Sequence, residues 1–511
     1  MRRGSFNFRA CARFDTPSPL RMSVPDAPPI PTPGPLAIAR RAAGSFHPRA
    51  MPAPIRRNYA RELPGTAMLA VGRAAFEGSI IAGVTRVAYD GVIPDATLNY
   101  AVAALATAPA AANILNFVWT RVAHGANKTR FIAAVQIAMI ACIVGLALMP
   151  ATPIGLVGLI AMTFCAWVCW SGFVAVRSTV WRANYARSVR ARVAGKLSTV
   201  QTIAIGSLGI ALGVAMDAAK GGFGPGWLLA GVDPIVIFRV FLISAACVAS
   251  VGIGILATVR VRQHKRLLVA ERESSADNTG PTLNPIGVVS LLLEDRRYGA
   301  YQVNQFLMGM GNLMIFPLLP IILRERFEAG YFKVLLLSGA LGMLVVPFAV
   351  PLWARLLDGV HIVRFRAVHS WVFVALVVLL MVAVFGHIEW LLYAVACLKG
   401  VAMGGGMLAW QLGHHDFAPT SRAGEYMGVH VTLTGVRGMI GPVAAVSLYN
   451  VLDEIDPSLS PAVLVPCLAL VLAGAVGFVL MNLRMDLSPV DERLPADSKT
   501  RGPAPVSRAD S

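Results

Sequence analysis

The sequence predicts an all-α membrane protein with twelve transmembrane helices in two pseudo-symmetric six-helix halves. Three observations support this fold class: a low fraction of charged residues, apolar runs of membrane-spanning length, and a repeat between the two halves. Of the 511 residues, 56% are hydrophobic and 14% are charged, whereas a soluble protein carries about 25% charged residues. The apolar runs are about 20 residues long, which at 1.5 Å per residue matches a hydrocarbon core of about 30 Å.

The charge balance is strongly basic, with 45 Lys and Arg against 27 Asp and Glu and a net charge of +18. Basic loops on the cytoplasmic side of a membrane account for such an excess. No basic stretch is interleaved with aromatic residues as a nucleic-acid stacking surface requires, so we expect no nucleic-acid partner. Six of the seven cysteines lie in apolar runs, where Cys behaves as a small hydrophobic residue. The spacing fits neither a zinc nor a haem site, and we expect no metal, no cofactor and no catalytic residues.

Composition divides the chain into five segments. The first tail holds eleven Pro and eleven Arg, a composition that cannot bury a core. The first span is predicted at residues 64–88. The predicted segments are a disordered Pro/Arg-rich cytoplasmic tail (1–62), an N-terminal six-helix half (63–259), a charged cytoplasmic linker (260–298), a C-terminal six-helix half (299–484) and a disordered cytoplasmic tail (485–511).

Lys and Arg in the short loops predict the orientation. Three loops that fall on one side of the membrane are rich in these residues, at 121–130, 182–196 and 355–366. The loop after the seventh span disagrees, because Arg324 and Arg326 fall on the opposite side. On balance, the bias predicts an even number of spans and an integral protein of the bacterial inner (plasma) membrane, with both termini in the cytoplasm.

The two halves share an internal repeat. The loop after the second span, 119–131, and the loop after the eighth, 353–365, carry Trp, Arg, Gly, Arg and Phe at identical spacing. Further along, Gly206 in the fifth span is matched by Gly438 in the eleventh. Duplicated halves are typical of transporters, which bind substrate at the interface of the repeats near the membrane centre. The alternative is that similar loops converged on these residue types at the membrane interface.

Over roughly residues 60–485 the chain resembles the major facilitator superfamily. The resemblance rests on six plus six spans, a charged central linker and the repeated loop. In that family the loop carries an acid followed by Arg. Here Asp358 occupies the acid position, but His124 replaces it in the first half, and Gly125 and Gly359 stand where the Arg is usual. These departures put the family's gating contacts in doubt. The resemblance assigns the gating loops to Arg121, Arg130, Arg355, Asp358 and Arg364.

The function that the resemblance implies is secondary active transport of a small solute by alternating access, and not enzymatic catalysis. The partners expected are the solute, the lipid bilayer and, in a proton-coupled cycle, protons; the chain is expected to act as a monomer. Because the loop motif is degenerate, a non-transporting membrane sensor or assembly factor on the same scaffold stays open as the alternative.

Charged residues within the spans are the first candidates for the site. A charge at the bilayer centre costs roughly 2.5–3.5 kcal/mol, so it usually faces a wet cavity and is paired. The candidates are Arg73, Glu77, Lys399 and Arg437. In the resembled fold, spans one, four, seven and ten line the cavity, which would bring Glu77 and Lys399 together from opposite halves. We predict that Glu77 titrates or binds substrate, that Lys399 contacts an anion, and that Arg437 binds substrate or Glu77. The structural alternatives are an Arg73–Glu77 pair at i,i+4, an acid that neutralises Lys399, and a sealing role for Arg437.

Polar residues of the seventh span complete the predicted site. Asn304 and Asn312 are eight residues apart and near one helix face, where they could bind a polar substrate; hydrogen bonding between helices is the alternative. Positive candidates outnumber Glu77, which favours an anionic or zwitterionic solute. No ATP-binding loop is present.

Overall fold

A computed structural model describes residues 40, 43–266, 268–269, 271, 285–414, 416–418 and 423–485. Most of both predicted tails and the middle of the linker lie outside these residues. Met1–Ala50 forms a unit of its own, whose described part includes a short 3₁₀ helix at Pro48–Ala50. Met51–Ser511 forms the second unit, which contains every helix considered below.

Within the described residues, twelve spans build two halves of six, the first span being broken into the helices α1a and α1b. The N-terminal half consists of α1a (Ala53–Ala74), α1b (Gly78–Ala88), α2 (Asp95–Ile114), α3 (Lys128–Leu148), α4 (Pro153–Asn184), α5 (Arg187–Ala219) and α6 (Pro234–Ala257). The C-terminal half consists of α7 (Arg296–Phe327), α8 (Tyr331–Gly359), α9 (Ile362–Phe385), α10 (Glu389–Leu412), α11 (Ala423–Ile455) and α12 (Leu464–Arg484). Short helices at Asn116–Val122, Gly226–Leu229, Pro285–Glu294 and Pro457–Val463 lie between them.

Eleven helices of the described chain are long and apolar enough to cross a membrane. The twelfth, α2, is 20 residues long but is rich in Ala and carries Asp95 and Asn99, which lowers its hydropathy. It packs against α11 of the other half, and α5 packs against α8. These two contacts join the halves, and they confirm the predicted twelve-helix, two-half fold class.

The first helix begins at Ala53, so the predicted boundary of the disordered tail at residue 62 is wrong. Ile55 and Tyr59, one turn apart, are buried in a small apolar cluster with Tyr185 and Leu197. Glu62 accepts a hydrogen bond from the Tyr185 hydroxyl at 2.8 Å. Arg and Pro dominate the composition of 53–62, but the few apolar side chains recur at helical spacing, and their burial orders the segment.

Two spans depart from regular α-helix near the junction of the halves. The first span breaks between Ala74 and Gly78, so Glu77 lies at the break and not on one continuous helical face with Arg73. In α8, residues Leu336–Ala340 form a π-helical turn. A π-turn releases backbone carbonyls from the regular hydrogen-bond ladder and often marks a functional site.

Glycines allow the halves to approach closely. A Cβ added to Gly206 of α5 would lie 2.9 Å from the Ala340 carbonyl oxygen of α8, and one added to Gly435 of α11 would lie 2.8 Å from Ile114 Cδ1 of α2. Gly438, the repeat partner of Gly206, faces Ala110 of α2 in the same way. Small residues at helix contacts in membranes serve this purpose.

Candidate functional site

Arg73 and Glu77 form an ion pair at the break in the first span. The Arg73 guanidinium carbon lies 3.9 Å from the centroid of the Trp167 ring and 5.3 Å from that of Trp170. Aromatic faces stabilise a cation in this arrangement, so two tryptophans of α4 hold Arg73 in place. The Glu77 side chain is less buried than that of Arg73, and a Cβ added to the adjacent Gly78 would meet no atom within 4 Å. The backbone at the break therefore borders open space.

Lys399 enters the same region from α10 of the other half. Its ammonium donates a hydrogen bond of 2.5 Å to the carbonyl oxygen of Ser338, which lies in the π-turn of α8. The Nζ atom also lies 4.6 Å from the centroid of the Phe316 ring of α7. Lys399 is 6% exposed, and no carboxylate of the described residues lies within 4.0 Å of its nitrogen. Its charge is therefore held by a carbonyl and a ring instead of an acid.

The structure brings Arg73, Glu77 and Lys399 together at the junction of the halves. The Glu77 carboxylate acts electrostatically on the Lys399 ammonium across the interface. The two irregular segments also meet, because a Cβ on Gly339 of the π-turn would collide with the side chain of Ser79, two residues beyond Glu77. Opposite charges from the two halves thus lie beside two irregular backbone segments that contact each other, an arrangement typical of transporter substrate and ion sites.

The structure places the other predicted residues elsewhere. Arg437 of α11 donates hydrogen bonds to the Gln305 carbonyl and, at 3.2 Å, to the Thr434 hydroxyl, and it does not contact Glu77. The Asn304 side chain lies against Gly477 and Met481 of α12, within the C-terminal half.

Asn312 remains near the proposed site. It is partly buried, it makes no hydrogen bond within the described part of the chain, and it lies one turn before Phe316 on α7. It shares a helix face with that ring, whereas Asn304 does not.

The predicted gating residues of the repeated loops are exposed, and none forms an ion pair with another described residue. These residues are Arg121, Arg130, Arg355, Asp358 and Arg364. The first loop instead binds Glu271 of the linker. The Glu271 carboxylate accepts hydrogen bonds from Lys128 Nζ at 2.6 Å and from the Gly125 backbone at 2.8 Å. His124 contacts the Glu271 carbonyl at 2.7 Å. An acid from the linker therefore contacts the first repeated loop, in which His124 replaces the acid that the family carries.

A second charged cluster, absent from the predictions, joins the halves at the end of the bundle remote from Ala53 and Arg484, called the distal end below. Arg86 of α1b is 1% exposed. Its guanidinium contacts Glu325 of α7 at 2.6 Å, Asp95 at 2.9 Å and Asp90 at 3.3 Å. Burial of one cation among three carboxylates ties the two halves at this point. The pairing was not visible in sequence, because Arg86 and Glu325 lie 239 positions apart.

Hydrogen bonds extend this cluster into what we call the distal seal. Asn99 of α2 donates to Glu325 at 3.0 Å and to Asn450 of α11 at 3.1 Å. The Tyr449 hydroxyl donates to Glu325 at 2.6 Å. Residues from α1b, α2 and α11 thus converge on a single carboxylate of α7. The distal end of the bundle is therefore closed by polar contacts between the halves.

The seal also explains the two basic residues that contradicted the orientation rule. Arg324 pairs with Asp90 at 2.5 Å, and Arg326 donates to the Pro457 carbonyl at 3.1 Å. Both serve contacts at the distal end. Burial alone would raise the pKa of the Asp90 carboxyl, but the hydrogen bonds and charges of Arg324 and Arg86 outweigh it, so the pKa lies below its usual range.

The sequence model of the Major Facilitator Superfamily matches residues 78–442. The chain belongs to the Major Facilitator Superfamily. Among curated proteins no sequence matches this member of the superfamily. Solved structures with the same fold include the D-xylose–proton symporter, at 12% identity and a TM-score of 0.59, covering 83% of this chain and 96% of the symporter.

Two further solved structures share the superfamily fold. A mutant of the nucleoside transporter NupG has 12% identity and a TM-score of 0.58, covering 82% of this chain and 99% of its own. A bacterial homologue of the human lysosomal transporter Spinster, in an inward-facing and occupied conformation, has 17% identity and a TM-score of 0.53, covering 85% and 98%. At these identities the likeness shows the fold, and the superfamily assignment makes this chain an integral membrane protein of the transporter class.

Proposed function

We propose that the protein is a secondary active transporter of a small anionic or zwitterionic solute, coupled to protons and working by alternating access. The observation that carries the proposal is the opposition of Glu77 and Lys399 from the two halves, at a helix break and a π-turn. Rocking of one half against the other changes the distance between these charges, so the solute and the proton can each be bound on one side and released on the other.

The chemistry of Lys399 supports an anionic group on the solute. An ammonium has three donors, and the Ser338 carbonyl takes one of them. A carboxylate or phosphate that accepts from the remaining donors would neutralise a charge that no contacting acid of the described chain neutralises. Glu77 then serves as the proton carrier, because its protonation frees Arg73 and Lys399 to bind an anion.

The distal seal fits one of the two states of an alternating-access cycle, the state in which the distal end is closed. With both termini in the cytoplasm, as the loop charges predict, the sealed end is the external one. The site is then closed to the outside, and the exposed repeated loops lie at the cytoplasmic end. We place the protein in the bacterial inner membrane as a monomer.

Transport in proteoliposomes tests the proposal. A panel of labelled organic acids and amino acids is assayed for counterflow, with and without a proton gradient, for the wild type, Glu77→Gln and Lys399→Ala. We expect Lys399→Ala to abolish both modes. Glu77→Gln should abolish accumulation driven by the gradient while counterflow persists, because exchange needs no net proton movement.

A matched control is available at Lys333 and Glu389, an exposed ion pair of 2.6 Å. Lys333→Ala and Glu389→Gln remove the same chemical groups outside the site and should transport like the wild type. Equal losses in the site and control variants would contradict a role for Glu77 and Lys399. Failure of the folded wild type to move any solute of the panel would favour the sensor or assembly-factor alternative.

A further inference from the structure

Four arginines of the described chain are almost fully buried, and they fall into two classes. Arg73 and Arg86 each contact a carboxylate. Arg366 and Arg437, 1% and 5% exposed, have no carboxylate of the described residues within 4.0 Å. Both lie in the C-terminal half, and the charge of Arg366 acts on Arg437. Two like charges are therefore buried in the same half of the bundle, and neither contacts an acid of the described residues.

Neutral groups accept hydrogen bonds from only some of the N–H donors of each guanidinium. His369 donates from Nε2 to the Ala402 carbonyl at 2.9 Å, so its Nδ1 lone pair is available to accept from Arg366 Nη1 at 3.4 Å. Arg437 uses Nη1 and Nη2 on Gln305 and Thr434. The Nε atoms of both arginines are buried and make no hydrogen bond within the described part of the chain.

A histidine of α11 adds a third donor. His430 is 3% exposed, and its Nδ1 lies 3.3 Å from Gln302 Nε2 of α7. When Gln302 donates to Nδ1, the proton of the neutral ring lies on Nε2, which has no partner among the described residues. His430 and Arg437 are seven residues apart on α11, and both bond to α7, at Gln302 and at Gln305. Arg366 lies one turn after Ile362 on α9, and a Cβ added to Gly413 would lie 3.1 Å from Ile362 Cγ1 and 2.6 Å from the Tyr301 hydroxyl of α7. Three unpaired N–H groups on α9 and α11 thus belong to one cluster.

We propose that Arg366, His430 and Arg437 form a second anion-binding site, within the C-terminal half, for a small oxyanion such as phosphate or a carboxylate. An isolated buried charge costs several kcal/mol unless it is paired, and guanidinium forks match the geometry of oxyanions. Arg366 is the fifth residue of α9, counted from the end of the bundle opposite the seal, so the anion enters from that end.

Binding of inorganic phosphate to the purified full-length protein tests the site. Equilibrium binding and the melting temperature are measured against phosphate concentration at constant ionic strength, with chloride as the balancing ion. A true ligand raises the melting temperature with concentration by mass action. We expect the dissociation constant to weaken at least tenfold in Arg366→Gln and in Arg437→Gln. His430→Leu removes one donor without removing a charge, so it tests the site even where an arginine variant does not fold.

Two controls separate this site from others. Arg364, exposed and two residues before Arg366, provides a surface variant, Arg364→Gln, that should bind phosphate like the wild type. Lys333→Ala, at a cation of α8 outside both proposed sites, should also keep phosphate binding. A parallel titration with phosphatidylglycerol identifies a lipid headgroup as the source where it stabilises the protein and inorganic phosphate does not. The proposal is overturned if neither phosphate source binds, or if Arg364→Gln or Lys333→Ala weakens binding as much as Arg366→Gln.

Discussion

At the scale of single residues, the buried cations of this protein differ in what neutralises them. Arg73 has Glu77 and two indole rings, Arg86 has three carboxylates, and Lys399 has a carbonyl oxygen and a ring. Removal of a cation that is held by carboxylates lowers the stability of the folded protein strongly, because the acids are left buried and unpaired. A cation held by neutral groups remains able to bind an anionic ligand. This difference separates the structural role of Arg86 from the binding role proposed for Lys399.

Replacement of Arg86 by Gln should open the distal seal. Breaking a buried ion pair by removal of one partner costs about 3–5 kcal/mol, and here Glu325 would lose its cation within the interface. We expect a lower melting temperature and faster labelling of cysteines introduced at the distal end by an impermeant reagent. The control is Arg326→Gln, at a partly exposed arginine of the same end that donates to the Pro457 carbonyl. Equal effects of the two variants would contradict the seal.

The residues that the sequence could identify as candidates were those whose burial in the membrane costs much free energy. The sequence pointed to Glu77 and Lys399, because a charge inside an apolar run is rare without a function. The position of Asn304 against α12 was not predictable, because an amide can serve either a ligand or a contact between helices. Arg86 and Glu325 were missed, because both lie near span ends, where charges are common, and the partner of each belongs to the other half.

At the scale of elements, the irregular segments carry more information than the regular helices. The spans followed from hydropathy, but the break before Gly78 and the π-turn of Leu336–Ala340 had no recognised signal. Neither segment contains Pro. Both depend on contacts between helices, such as the approach of Ser79 to Gly339, and a single sequence does not reveal such contacts.

Deletion of Leu336 should convert the π-turn to regular α-helix. A π-turn holds one residue more than an α-turn, and Leu336 is the least buried residue of the five. The Ser338 carbonyl would then enter the helical ladder, and Lys399 would lose its acceptor. We expect a folded protein with much reduced counterflow, measured in proteoliposomes beside its melting temperature.

Deletion of Val378 from the regular helix α9 is the control for the Leu336 deletion. It rotates the rest of α9 by about 100°, which turns buried side chains such as Leu380 toward lipid, so this variant should not assemble. Wild-type transport by the Leu336 deletion would show that the π-turn is not needed for the site.

At the scale of the whole molecule, the internal repeat predicted the pseudo-symmetric halves, and the glycines of the repeat explain how the halves meet. Gly206 allows α5 to approach α8, and Gly438 allows α11 to approach α2. The two contacts are equivalent under the repeat, which the spacing of these glycines had indicated. The distal seal was not predictable from the repeat, because it is built from residues that the repeat does not include.

The distal seal should withstand mild acid. The charged form of Asp90 is stabilised in the sealed state, where its pKa is lowered. Its contribution is therefore complete above the ordinary aspartate value of about 3.9, and it is lost only as the pH falls through the lowered pKa. A reporter such as Val334→Cys, at a buried position of α8 facing Gly83, can be labelled from the distal side of the membrane with an impermeant maleimide. Because thiol reactivity itself changes with pH, each rate is divided by the rate in the same reporter carrying Asp90→Asn. We expect a ratio well below one that is constant from pH 8 to about pH 5; a ratio that rises within this range would mean that Asp90 titrates unpaired and does not hold the seal.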